Sequence, residues 1–546
     1  MALTPHRNDF ENSAPVWLLD LEWGGETWRV ATQPVEVVTS AGRRLSYLGG
    51  MSAPTRLRES LGRLKTDPGS ASATVAAVLP CNVAQRIAQG HSLLAARATI
   101  YMGTIGPQSD PYAVPTLRQE DHQLWHLLGG IVTQPRWATP GAPVGYLDFQ
   151  VKYAPWDEQS KTLLPSAAVL GDGDVDAVAA QLGAIGKVIP LVFGAPGASA
   201  IGGSPSYYMG VGTAVDGTSD FWSAANILPT TASSSTLTYI FAGSRTSNTV
   251  GLNRLRLESG AVVTVQANAY IVGTDTTPAW CVWDGGNASI SPYSGDGLRD
   301  SAEVAAYCLD IGGFDVDVPR WLAVKGRGTF NVDTYVNDPT ITAWDWLDGA
   351  GVLDGMACSM RRGVGGVYPV PYSPDIYATN ALTSITVGNE WAASSAIELL
   401  TEPGDLVNIA DLRFGRSAET EELVRYRLFA PEDPLFRANP SHTMKASIAR
   451  YGASRAQVEV ETFEAASAEA VALRVLALGS MPTYTRSYRA PWFWGWLNVG
   501  DAIAITDSDA SWASTIAIIN QKAWTGAGWA FEVLVDEMLI RDARPY

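Results

Sequence analysis

Apolar residues in the opening stretch recur at every second position. In Leu18-Leu19-Asp20-Leu21-Glu22-Trp23 one face carries Leu19, Leu21 and Trp23, and the other carries Asp20 and Glu22. That is the pattern of a half-buried strand. Gly24-Gly25 follows, then Thr27-Trp28-Arg29-Val30. A glycine pair between two such runs predicts a tight hairpin, because primed turns need positive φ. The pattern continues at Val35–Val38, Leu45–Leu48, Ala98–Gly103, Trp125–Leu128 and Leu147–Tyr153. One helix is predicted over 82–89, where Asn82 and Gln85 have capping-box spacing and Gly90 supplies the residue past the end. Residues 1–160 therefore read as a mostly antiparallel β domain.

The remaining chain divides by changes in pattern. Residues 161–186 read as a connector. An apolar strand bounded by Gly186 and Gly194 opens a small β domain over 187–290. An α+β domain follows over 291–400. Its first helix is predicted after Asp300, with Glu303 completing a capping box, and its second from Thr342 through Leu347. Strands are predicted at Ala357–Arg361 and Val367–Val370. Residues 401–546 read as β with one helix, Glu464–Leu478, then a turn at Gly500-Asp501 and strands at Ala502–Thr506 and Ala530–Val535. The fold class is thus mainly β with α+β portions, multidomain, built of barrel or sandwich units.

Composition narrows the function classes. The chain has 546 residues, which suggests three or four domains. Only 17% of residues are charged, against about 25% in a typical soluble protein. A chain this sparsely charged is expected to bury outer surface in an assembly. The formal net charge of −17 argues against a sequence-independent nucleic-acid binder, which needs cations to displace counterions, and against docking on anionic lipid. Cys81, Cys281, Cys308 and Cys358 lie far apart, so neither a zinc ribbon nor a disulfide framework is expected. They read as buried thiols of a protein made in a reducing cytoplasm. The N-terminus lacks the apolar segment of a signal peptide, and no apolar run is long enough to span a membrane.

Chemical motifs are weak. Asp172-Gly173-Asp174-Val175-Asp176 starts like a calcium loop, but the sixth and twelfth places hold Ala177 and Gly183 instead of Gly and Glu. His122 and His126 stand four apart without the Glu that a metalloprotease helix places after the first His. There is no nucleophile elbow and no P-loop. Acid pairs such as Asp315/Asp317 and Asp345/Asp348 are too common among 55 acids to single out a glycosidase pair. No metal, cofactor or catalytic residue is predicted. The chain is unusual in its aromatics. It has 19 tryptophans, and Pro491-Trp492-Phe493-Trp494-Gly495-Trp496 packs four aromatics into five residues. On a strand, Trp492, Trp494 and Trp496 would share one face with Phe493 opposite. These four are the candidate interface or glycan-contact residues, with burial or a subunit interface favoured because Leu497 and Val499 continue the apolar run.

Three stretches in order resemble the tail-hub family of long-tailed bacteriophages, the baseplate hub and tail-tip attachment proteins. The first is Gly186-Lys187-Val188-Ile189-Pro190-Leu191-Val192-Phe193-Gly194. The second is Ala302–Leu309 leading to Gly312-Gly313-Phe314-Asp315-Val316-Asp317, then the Trp344–Leu347 helix and the β segment at Ala357–Val370. The third is Ser447-Ile448-Ala449-Arg450-Tyr451-Gly452, then the Glu464–Leu478 helix, then Leu497-Asn498-Val499-Gly500-Asp501-Ala502-Ile503-Ala504-Ile505-Thr506. The resemblance implies a non-enzymatic homotrimer with two tube-like β domains per chain, in the N-terminal and C-terminal domains. Its ring would continue the tail tube at the virion's tail tip. Its implied partners are distal tail and tail tube proteins, other tip or fibre proteins, and the tape-measure protein and DNA passing through the lumen. Inward-facing positions are expected to carry acids or small polar residues. The alternatives are a sixfold distal tail ring protein and a Trp-rich carbohydrate-binding or carbohydrate-cleaving β protein.

Overall fold

The computed structural model describes residues 13–61, 70–106, 113–119, 123–138, 144–153, 162–163, 191–193, seven strand segments between 207 and 284, 299–336, 338, 340–371, 381–401, 405–416, 422–430, 442–480 and 482–536. The Asp172–Asp176 loop, His122, most of the 161–186 connector and the ends of the Gly186–Gly194 segment lie outside these residues. The protein is mainly β, as the alternation requires, and the chain sorts into two compact units. Unit 1 is Met1–Glu158, Ser359–Glu402 and Met481–Tyr546; unit 2 is Gln159–Cys358 and Pro403–Ser480. Pro403–Ser480 and Met481–Tyr546 fall in different units. The reason is strand pairing: the last strands join the same sheet as the first.

That sheet has 17 strands. They are β1 Ala14–Trp23, β2 Glu26–Ala31, β3 Val35–Val38, β4 Arg44–Gly49, β5 Thr55–Ser60, β6 Ser70–Leu79, β7 Arg97–Ile105, β8 Thr116–Arg118, β9 Leu124–Ala138, β10 Gly145–Tyr153, β11 Ser384–Thr386, β12 Ala392–Ala393, β13 Glu398–Leu399, β14 Thr483–Pro491, β15 Ala502–Asp507, β16 Trp512–Trp524 and β17 Gly528–Asp536. Hydrogen-bonded neighbours run β4-β2-β1-β7-β9-β10-β6-β5-β16-β17-β14, ending on the short β12 and β13. The ladder does not close into a barrel. The β1–β2 hairpin turns at Gly24 and Gly25, with φ of +64° and +79°, the left-handed pair that a primed turn demands. Helix α1, Val83–Ala88, starts where Asn82 Oδ1 accepts from Gln85 N at 3.0 Å, and Gly90 follows it at φ +94°.

Unit 2 is α+β. Between 207 and 284 five strands form a sheet in the order Tyr207–Thr213, Pro278–Asp284, Val265–Val272, Ser235–Ile240, Thr249–Leu252. Leu191–Phe193 pairs antiparallel with Thr334–Val336, and the buried Phe193 ring lies 5.1 Å from Trp346. Helices α2 Ser301–Ile311, α3 Val318–Val324, α4 Ala343–Gly349 and α5 Val352–Met356 follow. Asp300, Asp317 and Thr342 cap the first three. The acids Asp317 and Asp345 are thereby used at helix starts. Glu303 is buried and pairs with Lys325 at 2.9 Å. Helices α6 His442–Tyr451 and α7 Ala465–Gly479 adjoin a three-stranded sheet of Leu423–Phe429, Ile409–Arg416 and Arg455–Val460. Helices α3, α5 and α6 were not expected, since each is short or lacks a clear apolar period. Cys308 and Cys358 are buried free thiols, but Cys81 is only half-buried, which corrects that expectation.

Candidate functional site

Residues Trp492–Trp496 form a single 3₁₀ turn, not a strand. The β14–β17 ladder ends at the Pro491–Gly528 pair, so no partner strand remains to extend the sheet. The turn's carbonyls find side chains instead. Trp529 Nε1 donates to Trp492 O at 2.8 Å. Lys522 Nζ donates to Gly495 O at 2.6 Å and to Leu497 O at 2.7 Å. Because a 3₁₀ turn repeats every three residues, the expected common face of Trp492, Trp494 and Trp496 does not exist.

The four aromatics divide by burial. Trp494 is buried, with 7% of its surface accessible, whereas Trp492, Phe493 and Trp496 are half-buried. Trp494 meets Trp391 edge-on at 5.8 Å, and Trp391 stacks on Phe531 at 4.8 Å. Trp529 continues the cluster to Trp524 and Trp17. Gly495 has no room for a side chain: a Cβ there would overlap Met102 Cε and sit 2.8 Å from Trp529 Nε1.

Beneath the turn lies a buried group of charges that sequence reasoning missed. Lys522 is 1% accessible and its amine sits 4.5 Å from the centre of the Trp529 ring. Glu59 is its partner across the ladder. Arg361, on the Cys358–Gly363 strand, grips Glu59 with two nitrogens, one at 3.0 Å, and also donates to Tyr368 Oη at 3.2 Å and Leu127 O at 3.3 Å. Asp501 accepts from Asn498 N at 2.6 Å. Burial pushes the Asp501 carboxyl up to about 6, opposed by that hydrogen bond and by Arg361. Burial pulls the Lys522 amine down to about 7, and Arg361 adds to the fall. Arg361 and Glu59 meet directly as an ion pair, whereas at Asp501 and Lys522 burial outweighs the opposite charges nearby and favours the neutral forms. Arg486, donating to Asp507 at 2.5 Å, with Tyr488 Oη donating to the same carboxylate at 2.7 Å, makes a second buried pair. The only sequence signal was a lysine at an apolar position of a strand.

No protein-family model matches the chain, and no curated protein sequence does. Solved structures similar to it include a 43 kDa tail protein of prophage MuSo2 from Shewanella oneidensis, with 8% identity and a TM-score of 0.36 over 96% of this chain and 99% of that one. Another is prophage tail protein gp18 from Listeria monocytogenes EGD-e, with 8% identity and a TM-score of 0.32 over 91% of each chain. A third is a lidless PdpA–VgrG complex, at 7% identity and 0.31 over 98% of this chain and 66% of that one. Scores of this size do not establish a common fold.

The geometry of the turn and its charges is that of a structural fastening. Every buried charge described above meets a fixed partner or an opposite charge. Among the described residues no group of three or more His, Cys, Asp or Glu is placed to hold a metal ion. His126 lies on β9 with its ring 5.7 Å from Tyr101. No helix of the described residues is long and apolar enough to cross a membrane.

Proposed function

We propose that the chain is a structural hub of a phage tail tip or baseplate, without enzymatic activity. It acts as a homotrimer whose ring continues the tail tube, anchors other tip proteins and passes the tape-measure protein and DNA. The observation that carries this reading is the ordered set of hub-like segments, whose distinctive residues have fixed duties in the fold. Gly500 takes φ +87° and a Cβ there would overlap Val370. The neighbouring half-buried Asp501 adjoins the buried charge group. In the Ser447–Gly452 segment, Asn408 donates to Ser447 Oγ at 3.0 Å and to Gly452 O at 2.9 Å. Gly313, after α2, takes φ +86°. Sparse charge fits surfaces buried between subunits, since interface cores lose charged residues.

Native mass spectrometry and symmetry-resolved electron microscopy of assembled material test this reading. Three copies in a ring are expected; six copies would assign the chain to a distal ring, and a stable monomer under assembly conditions would overturn the hub. The half-buried Trp492, Phe493 and Trp496 keep a glycan-binding reading in view. Glycan retention by the purified chain, lost in Trp492→Ala and Trp496→Ala without loss of assembly, would establish it.

A further inference from the structure

Among the described residues one stretch of chain, 392–401, covers the outer edge of β14. Ala392 and Ala393 of β12 pair with Arg489 and Tyr488, and Glu398 and Leu399 of β13 pair with Thr485 and Tyr484. From Ala392 to Leu400 every residue except Ser395 is exposed. Ile397, Leu399 and Leu400 keep 39%, 56% and 49% of their surfaces accessible. Glu398 is the one charged residue of this stretch, which contains no Lys and no Pro.

The hydrogen bonding fixes which backbone groups point outward. Leu400 N donates to Thr483 O at 2.9 Å. In an antiparallel ladder, residues that exchange hydrogen bonds alternate with residues that do not. Glu398 therefore turns its backbone groups to β14, and Leu399 turns its N–H and C=O away from it. Among the described residues nothing pairs with those two outward groups. Sheet edges are commonly guarded by Lys, Pro or a bulge. Here the outward groups sit among three exposed apolar side chains instead.

We infer that this edge accepts an extended segment of another protein, added as one further strand beside β13. The outward N–H and C=O of Leu399 require a backbone that brings the matching acceptor and donor. Ile397 and Leu399 call for apolar residues opposite them, and Glu398 calls for a Lys or Arg, because opposite charges favour each other across strands. The incoming segment therefore reads apolar, cation, apolar. The shortness of β13 limits the contact to a few residues, so it is weak and reversible alone. A second copy presenting the same edge would pair about a twofold axis, which a three-copy ring does not contain. For that choice the inference rests on the hub reading, and it gives the hub a place to anchor a neighbouring tip protein.

The test is fluorescence anisotropy of the full-length protein with fluorescein-labelled peptides. The probe is Thr-Val-Lys-Val-Thr, which sets its Lys opposite Glu398 and its valines opposite Ile397 and Leu399. Binding is expected. It should be lost when both valine nitrogens are methylated, since that removes the ladder donors and keeps the side chains. Glu in place of the peptide's Lys should weaken binding about fivefold, the scale of a cross-strand charge pair. Glu398→Lys should reverse that preference. Leu399→Pro deletes the outward N–H, a change an edge strand tolerates, and should abolish binding at an unchanged melting temperature; if the melting temperature falls, the Glu398→Lys reversal decides. Absence of binding overturns the inference, as does undiminished binding of the methylated peptide or a preference that Glu398→Lys leaves unmoved. Self-association of the full-length protein that Leu399→Pro abolishes overturns it in favour of a contact between copies. A three-copy ring that ignores the peptide removes this contact and leaves the hub; a monomer that binds the peptide does the reverse.

Discussion

Lys522 stands directly across the β5–β16 ladder from Glu59. Glu59 in turn holds Arg361, while Lys522 holds the carbonyls of Gly495 and Leu497. One acid and one base thereby fasten the N-terminal strands, the Cys358–Gly363 strand and the aromatic turn to each other.

Removing either cation should be costly, because its buried partners remain. Arg361→Met is expected to lower unfolding free energy by about 3–5 kcal/mol, the usual cost of breaking a buried ion pair from one side, and Lys522→Met by about 1–3 kcal/mol for each carbonyl it leaves unpaired. Urea denaturation followed by tryptophan emission measures this. A loss below about 1 kcal/mol in both would mean the charges are solvated.

The pH dependence has a definite sign. Asp501 has a folded value of about 6, above its ordinary value of 3.8, so its contribution is full below its ordinary value and is lost as pH rises through about 6. Lys522 has a folded value of about 7, below its unfolded one, so its contribution grows as pH rises from 7 towards 10.5. Urea midpoints measured against pH should lose the first limb in Asp501→Asn and the second in Lys522→Met, relative to wild type.

The aromatic turn should respond unequally. Trp494→Ala is expected to cost about 3–5 kcal/mol, as for a buried aromatic. Trp492→Ala and Trp496→Ala should cost less in the isolated chain, since both side chains are half-buried. Gly495→Ala should cost about 1–3 kcal/mol through overlap with Met102 and Trp529. Equal losses at Trp492 and Trp494 would contradict the burial.

In unit 2, Asn408→Ala removes two donated bonds and the acceptor for Ser454 N at 2.8 Å. Buried groups left unpaired cost about 1–3 kcal/mol each. Calorimetry should show a lowered melting temperature, and Asn408→Asp should not restore it, because a carboxylate cannot donate to Gly452 O.

Features that depend on neighbours a few residues away were legible in the chain. Alternation set β1 and β2, Gly24-Gly25 set their turn, and Asn82, Asp300 and Thr342 set helix starts, because a cap needs an oxygen within three residues. Tertiary structure decided the rest. Trp492–Trp496 reads as a strand, yet it is a turn because its ladder stops at Gly528 and Trp529 and Lys522 take its carbonyls. The surroundings of Lys522 are likewise brought by other segments, which carry Glu59, Arg361 and Asp501. Those contacts join residues hundreds of positions apart, and no local pattern records which strand will lie beside which.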